Sequence, residues 1–361
     1  MLKLRPISLF LFIMALLMPL ITGCDEKRLP ELTPSASPGE SEGDLDAWFR
    51  IYFTDPNSPT AESYRGGPDT RLVTAIEEAR VSVDAAIYDL NLWSLRDALT
   101  KAFRRGLAVR LVIESDNQDE PEIQDLKAAG IPILGDRREG LMHNKFVVID
   151  RSQVWTGSMN FTTSDGYLND NNLIQVRSVD LAEDYTIEFD EMFKDDMFGT
   201  DILSRTPHPE LVVEGVPLEV YFSPDDGVAG HLVDLIRSAE QSIYFMAFSF
   251  TSDVLANTIL ERAKNGVIVA GVMEESQVES NSGTDYDRFR QAGLDIRLDG
   301  NPRNMHHKVI LIDDKIVVTG SYNFSNSAET INDENVLVIY DPRIADQFMG
   351  EFERVFADGH R

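Results

Sequence analysis

Residues 143–172 read HNKFVVIDRSQVWTGSMNFTTSDGYLNDNN, and residues 306–335 read HHKVILIDDKIVVTGSYNFSNSAETINDEN. At a constant offset of 163, with no gap, the two stretches agree at 14 of 30 positions. Chance does not give that, so the chain is a duplication. The agreeing pairs include His143 with His306, Lys145 with Lys308, Asp150 with Asp313, Gly157 with Gly320, Ser158 with Ser321, Asn160 with Asn323, and Phe161 with Phe324. Most are polar, which a repeat kept only for packing does not require.

The repeat extends upstream, more loosely, at an offset of 160. The first half predicts an amphipathic helix over residues 71–80, a strand over 81–88, a second helix over 95–105 and a strand over 108–113. The second half repeats this order over 231–240, 242–248, 254–264 and 267–273. Each half then has a helix closing on Ala-Gly (Ala129-Gly130, Ala292-Gly293) and a short strand. Each motif opens a strand pair, whose first strands, 145–149 and 309–312, are apolar runs bounded by acidic turn residues, as buried central strands are. The alternation implies an α/β sandwich with helices on the sheet faces. A period near 160 is too long for a solenoid and suits a duplicated domain. The halves join near 204–209, where Pro207-His208-Pro209 breaks the helical pattern.

Residues i and i+2 of an extended segment share a face, so His143 projects with Lys145, and His306 with Lys308. An ammonium beside an imidazole repels a metal cation, which argues against a metal site. The same pair suits an oxyanion. Two lysines can clamp non-bridging phosphate oxygens and stabilise the charge that builds in a transition state. Ser158, Ser321, Asn160 and Asn323 follow glycines that let backbone come close, and are expected to add neutral donors to a phosphate cradle. Two imidazoles, which are neutral or charged near neutral pH, supply a nucleophile and a general acid. No cofactor is needed for that chemistry.

The pattern His-x-Lys-(x4)-Asp-(x6)-Gly-Ser-x-Asn, present twice, resembles the phospholipase D superfamily, and the resemblance covers residues 47–361. It implies two tandem phospholipase D-like α/β sandwich repeats related by a pseudo-twofold axis, with the site at their interface. It also implies a covalent phosphohistidine intermediate without a metal. By that carry-over His143 is the nucleophile and His306 protonates the leaving oxygen. Asp150 and Asp313 belong to the catalytic motif, but an Asp at a strand end before a turn commonly bonds nearby backbone N–H groups, and positioning is their expected role. The halves differ where Asn169-Asp170-Asn171-Asn172 matches Asn332-Asp333-Glu334-Asn335. A family acidic position is thus Glu334 in one copy and Asn171 in the other, leaving one carboxylate for two histidines. Glu334 can bond Nδ1 of His306 and favour the acid role, or reach across to His143 and support the phosphohistidine. His307 should face the far side of its strand and pack. Arg137, Arg138 and Arg303, just upstream of the motifs, are candidates to extend the anion site.

The N-terminus carries Lys3 and Arg5, then an uncharged apolar run over residues 7–21, the build of a signal peptide. The run ends in Leu20-Ile21-Thr22-Gly23-Cys24, which resembles a bacterial lipobox, and Cys24 is the only cysteine. The expectation is an exported lipoprotein, cleaved before Cys24 and anchored by a lipid on it, facing the periplasm or the cell exterior. The run is too short for a spanning helix, and one cysteine excludes an intrachain disulfide. Residues 24–46, rich in Pro, Ser, Gly and Glu, read as a flexible tether. The expected organisation is a signal peptide over 1–23, the tether over 24–46, repeat 1 over 47–204 and repeat 2 over 210–361. With both half-sites in one chain, a monomer suffices.

The net charge of −28 becomes −30 without residues 1–23, which hold two cations and no acid. Such acidity argues against gathering nucleic acid by counterion release. It favours a phospholipid over a nucleic acid among phosphodiester substrates. A nuclease remains the alternative, because Gly320-Ser-Tyr-Asn-Phe-Ser-Asn-Ser-Ala-Glu329 is similar to the small bacterial nucleases of the superfamily. Against it stand the acidic stretches 116–122 (DNQDEPE) and 274–279, which could rim the cleft. A silent phosphate-binding module is the third reading, and two intact motifs count against it.

Overall fold

The computed structural model describes residues 48–201 and 204–361. The signal peptide, Cys24 and the tether fall on residues outside that range.

Repeat 1 builds a seven-stranded mixed sheet from β1 (Phe49–Phe53), β2 (Ser82–Ile87), β3 (Ala108–Ile113), β4 (Ile133–Gly135), β5 (Lys145–Ile149), β6 (Gln153–Gly157) and β7 (Asn172–Arg177), in the order β1-β7-β6-β5-β2-β3-β4. Repeat 2 builds an eight-stranded one from β8 (Glu210–Val213), β9 (Val216–Ser223), β10 (Ser242–Ala247), β11 (Ile268–Met273), β12 (Asp295–Leu298), β13 (Lys308–Ile312), β14 (Ile316–Gly320) and β15 (Glu334–Tyr340), in the order β12-β11-β10-β13-β14-β15-β9-β8. Apart from the added edge strand β8, the two orders are the same path. The expected strands stand within a residue or two of their predicted ends. The sequence pattern does not predict β1, β7, β8, β9 and β15.

The helices are α1 (Asp69–Glu78), α2 (Trp93–Arg104), α3 (Pro121–Ala128), α4 (Thr163–Tyr167), α5 (Val179–Asp195), α6 (Val228–Ser238), α7 (Asp253–Lys264), α8 (Glu275–Ser280), α9 (Tyr286–Gln291), α10 (Asn326–Thr330) and α11 (Pro342–Asp358). One outer core joins α1, α2 and α3 to the first sheet through Leu72, Leu99 and Ile123; another joins α6, α7 and α9 to the second through Leu232, Ile259 and Phe289. A third, central core is shared by both repeats and takes residues from α5 and α11, including Tyr185, Phe189, Phe348 and Phe352. There Tyr185 meets Phe222 of β9 with ring centroids 5.1 Å apart, and Phe53 of β1 meets Phe348 at 5.3 Å. Burial of large aromatics from both halves welds the repeats together.

Two devices set the ends of the central hairpins. Asp150 and Arg151, like Asp313 and Asp314, hold φ between 51° and 54°, the left-handed values of a tight hairpin turn. The Asp150 carboxylate accepts backbone N–H groups of Arg80, Val81 and Ser82 at 2.7 to 3.1 Å, and Asp313 does the same for Glu240, Gln241 and Ser242. These aspartates bind the turn to the helix–strand joint, at the far end of β5 and β13 from the histidines. At the near end Gly157 and Gly320 hold φ of 142° and 148°, and a Cβ there would lie 2.4 and 2.2 Å from the carbonyl oxygens of Asn172 and Asn335. Only glycine fits that approach.

Candidate active site

Each motif enters its strand by pairing with the other repeat. The His143 N–H donates to the Asp333 carbonyl at 3.0 Å, and the His306 N–H donates to the Asp170 carbonyl at 2.9 Å. Backbone therefore carries each histidine to the interface beside the opposite copy's Asn-Asp-(Asn/Glu)-Asn turn.

There the side chains cross as well. His143 Nδ1 lies 2.7 Å from Glu334 Oε2, and His306 Nδ1 lies 3.0 Å from Asn171 Oδ1. Of the two partners left open for Glu334, the structure takes His143. Lys145 and Lys308 each donate to the carbonyl of the histidine two residues before, at 2.7 Å. Each ammonium also sits over an aromatic ring, Lys145 over Tyr88 at 4.8 Å and Lys308 over Phe248 at 4.7 Å. The same rings stand edge-on to the histidines, at 4.8 Å for Tyr88 with His143 and 4.6 Å for Phe248 with His306.

The electrostatics suit the binding of an anion. Burial, joined by Lys145 and Lys308, pulls the His143 imidazole down to about 4, although Glu334 opposes the shift. Burial also takes His306 well below its usual value, with Lys308, Lys145 and His143 adding repulsion. Lys145 is pulled down to about 8 by burial, and Lys308 falls well below its usual range through burial and the charge of Lys145. Four buried groups that resist holding positive charge together are relieved when a phosphate brings negative charge.

Several sequence expectations are corrected. Ser158 does not offer its hydroxyl to a ligand: it donates to Asn171 Oδ1 at 2.9 Å and accepts the Asn172 N–H at 3.1 Å. Ser321 is likewise fully buried and accepts the Asn335 N–H at 3.0 Å. Both serines hold the crossing turns. Asn160 and Asn323, by contrast, have side-chain amides with no hydrogen-bond partner among the described residues, and their buried Oδ1 atoms are unsatisfied. Arg137 pairs with Asp196, and Arg138 pairs with Asp333 and donates to the Ile331 carbonyl at 2.6 Å, so both serve the scaffold. Arg303 is exposed. His307 does face away, but into a buried polar chain: Asn172 Nδ2 is 3.1 Å from its Nδ1, and its Nε2 is 3.0 Å from Glu351. The stretch 116–122 does border the site, since Asn117 donates to the Tyr88 carbonyl at 2.7 Å.

Sequence reading also missed residues. Asp165, fully inside, has Oδ1 3.6 Å from His306 Nδ1, so the site holds two carboxylates and not one. Its signal was the pair Asp165 and Ala328 in the alignment, six residues before Asn171 and Glu334. Glu114 and Glu274, which accept the backbone N–H of Met142 and Met305 at 2.9 and 2.6 Å, support the approach to each motif. Tyr88 and Phe248 share the 160 offset.

The family described as "Cardiolipin synthase, PLD-like domain" matches residues 72–193 and 232–356, one span in each repeat. The chain belongs to this phospholipase D-like family. Among curated relatives, a mitochondrial cardiolipin hydrolase of Chlamydomonas reinhardtii is 34% identical over 124 residues, covering 34% of this chain and 55% of the relative. A phospholipase D of Rickettsia prowazekii is 34% identical over 128 residues, covering 36% of this chain and 62% of the relative. The chain thus spans little more than half the length of these relatives. Among solved structures, phosphatidylserine synthase of Haemophilus influenzae has a TM-score of 0.62 at 15% identity and covers 85% of each chain. That likeness shows that the paired-repeat fold of the phospholipase D-like chain is shared along most of its length.

Proposed function

We propose that this chain is a phosphodiesterase of the phospholipase D type, which hydrolyses a phosphodiester through a phosphohistidine. The observation that carries the reading is the crossed site: two His-Lys pairs from two repeats meet with each Nδ1 held by the opposite copy. With Nδ1–H donated to Glu334, His143 presents the Nε2 lone pair to phosphorus, and the carboxylate supports the positive charge on the phosphorylated ring. Lys145 and Lys308 hold the non-bridging oxygens as the phosphorus becomes five-coordinate. His306 gives its Nε2 proton to the departing alkoxide, so the alcohol leaves neutral. A water then loses its proton to the same Nε2 and attacks phosphorus, the P–N bond breaks, and a phosphomonoester leaves.

A glycerophospholipid is the substrate this reading favours. The net charge is −28, and Glu114, Asp89 and Asp116 bear electrostatically on Tyr88 at the site, which opposes a polyanion far more than a single phosphodiester. The relatives named phospholipase D and cardiolipin hydrolase point the same way. The reading takes Cys24 as the lipid attachment point of an exported, membrane-held enzyme. Radiolabelled palmitate should enter the wild type and not Cys24→Ser.

The central test incubates the full chain in EDTA with phosphatidylcholine vesicles, single-stranded DNA and bis-p-nitrophenyl phosphate. Cleavage of the vesicles and of the small diester, with DNA intact, is the expected result. Cleavage of DNA in preference to lipid makes the protein a nuclease, and no cleavage of any leaves a phosphate-binding module.

A further inference from the structure

The phospholipase D-like repeats differ in where they keep their carboxylate. In repeat 2 it is Glu334, in direct contact with His143, and position 328 is Ala. In repeat 1 the position matching Glu334 is Asn171, and the position matching Ala328 is Asp165. We propose that Asp165 is the positioning residue of His306, acting through the amide of Asn171 to fix the imidazole's tautomer and support its exchange of a proton with the leaving oxygen and with water. The proposal rests on the reading of His306 as the proton-transfer group.

The geometry is over-determined. Asn171 Nδ2 lies 2.9 Å from Asp165 Oδ1 and 3.2 Å from the Asp165 carbonyl. Both are acceptors only, so the NH2 end of the amide must face Asp165 and its oxygen must face His306. An oxygen 3.0 Å from Nδ1 then requires that Nδ1 carry hydrogen. Nε2 is left as the atom that gains and loses a proton. Asp165 is itself pinned by Asn169 Nδ2 at 2.7 Å, with the Thr162 hydroxyl 3.4 Å from its other oxygen.

The relay differs in strength from a direct contact. Glu334 places a full charge 2.7 Å from Nδ1 of His143, as suits a ring that must stay positive while it carries phosphorus. Asp165 lies 3.6 Å from Nδ1 of His306 and speaks mainly through a polarised neutral amide, as suits a ring that must give its proton away. Lys308, Lys145, His143 and His307 oppose protonation of His306; Asp165, Glu334 and Glu274 are the carboxylates that bear on the adjoining Lys308, and of these Asp165 comes to 3.6 Å from His306 Nδ1. Nothing in packing demands an acid here, because Ala328 fills the same place in repeat 2, fully buried.

The test compares leaving groups in the full chain. Nitrophenolate departs without help, whereas choline's alkoxide needs a proton. In single-turnover assays, which read only the step that expels the leaving group, Asp165→Asn should slow release of choline from phosphatidylcholine by about 30-fold while slowing release of p-nitrophenolate by less than about threefold. The basic limb of its phosphatidylcholine pH profile should move to lower pH, because His306 then holds its proton less tightly. The double variant Asp165→Ala/Asn171→Glu, which copies the repeat 2 pair, should recover activity to within about fivefold of wild type. An equal fall on both substrates, or no recovery in a folded double variant, overturns the inference. Nitrogen-15 NMR of labelled histidine reports the tautomer independently of turnover: His306 should be the Nδ1–H form in wild type and mixed in Asp165→Asn. If the wild type cleaves nothing, the proposed activity fails, and the tautomers alone decide the role of Asp165. Identical tautomers in both proteins overturn it.

Discussion

Repeat 1 and repeat 2 share a frame and differ at the atoms that touch their histidines. The frame residues are paired copies: Asp150 with Asp313 at the turns, Gly157 with Gly320 at the close approach, Ser158 with Ser321 beneath the crossing turns. Around the histidines the copies diverge. Glu334 stands against Asn171, Ala328 against Asp165, Phe248 against Tyr88, and His307 against Asn144. The difference teaches that a duplicated scaffold can hold two like groups in two unlike electrostatic settings, one suited to carrying phosphorus and one to passing a proton.

The sharpest way to break that comparison is to remove each histidine. His143→Ala should lower turnover by about 10⁴-fold or more on every substrate, as loss of a covalent nucleophile does. His306→Ala should keep a burst of about one p-nitrophenolate per enzyme from bis-p-nitrophenyl phosphate while losing release of choline from phosphatidylcholine, and acid-quenched samples from the nitrophenyl ester should show trapped phosphohistidine. Stopped assays on both substrates check it, and the reverse pattern exchanges the roles.

Removing the partners comes next in size. Glu334→Gln should cost about 10²-fold in kcat/KM, and Asn171→Ala only about tenfold, because a buried charge is lost in the first and a neutral acceptor in the second. Equal losses would mean that the two settings are equivalent after all.

The frame residues should behave alike where the histidine partners do not. Asp150→Ala and Asp313→Ala each strand three backbone N–H groups and should lower unfolding stability by about 2–3 kcal/mol, read from urea midpoints. For Asp313 burial alone would raise the carboxyl's affinity for protons, but three backbone donors hold it below the usual carboxylate value. A depressed folded pKa contributes stability that is complete above the unfolded value near ~3.9 and lost as pH falls through the folded one. The gap between wild type and Asp313→Ala should therefore shrink below about pH 4.

The smallest effect expected is that of Tyr88→Phe, which makes repeat 1 match Phe248. Both rings face a lysine in the same way, so the change should alter kcat/KM by less than about threefold. A larger loss would show that the Tyr88 hydroxyl reaches the substrate.

Much of this molecule was legible before folding. The duplication, the two His-Lys pairs, the hairpins they open and the structural use of Asp150 and Asp313 follow from period and spacing, because strand alternation and turn chemistry are local. The serines were misread, since a hydroxyl after a glycine looks free until the Asn171 and Asn335 turns close over it. Arg138 was misread for a similar reason: its partner Asp333 lies 195 residues away.

What the sequence determined by itself is that there are two motif histidines, two motif lysines and carboxylates at unmatched positions of the two copies. Which acid serves which histidine was decided only by tertiary structure. Glu334 reaches His143 and Asn171 reaches His306 because the shared core of α5 and α11 presses the repeats together and backbone pairs each motif with the opposite turn. Contacts made across 135 and 191 residues have no signature in spacing, since their geometry exists only once both sheets are packed.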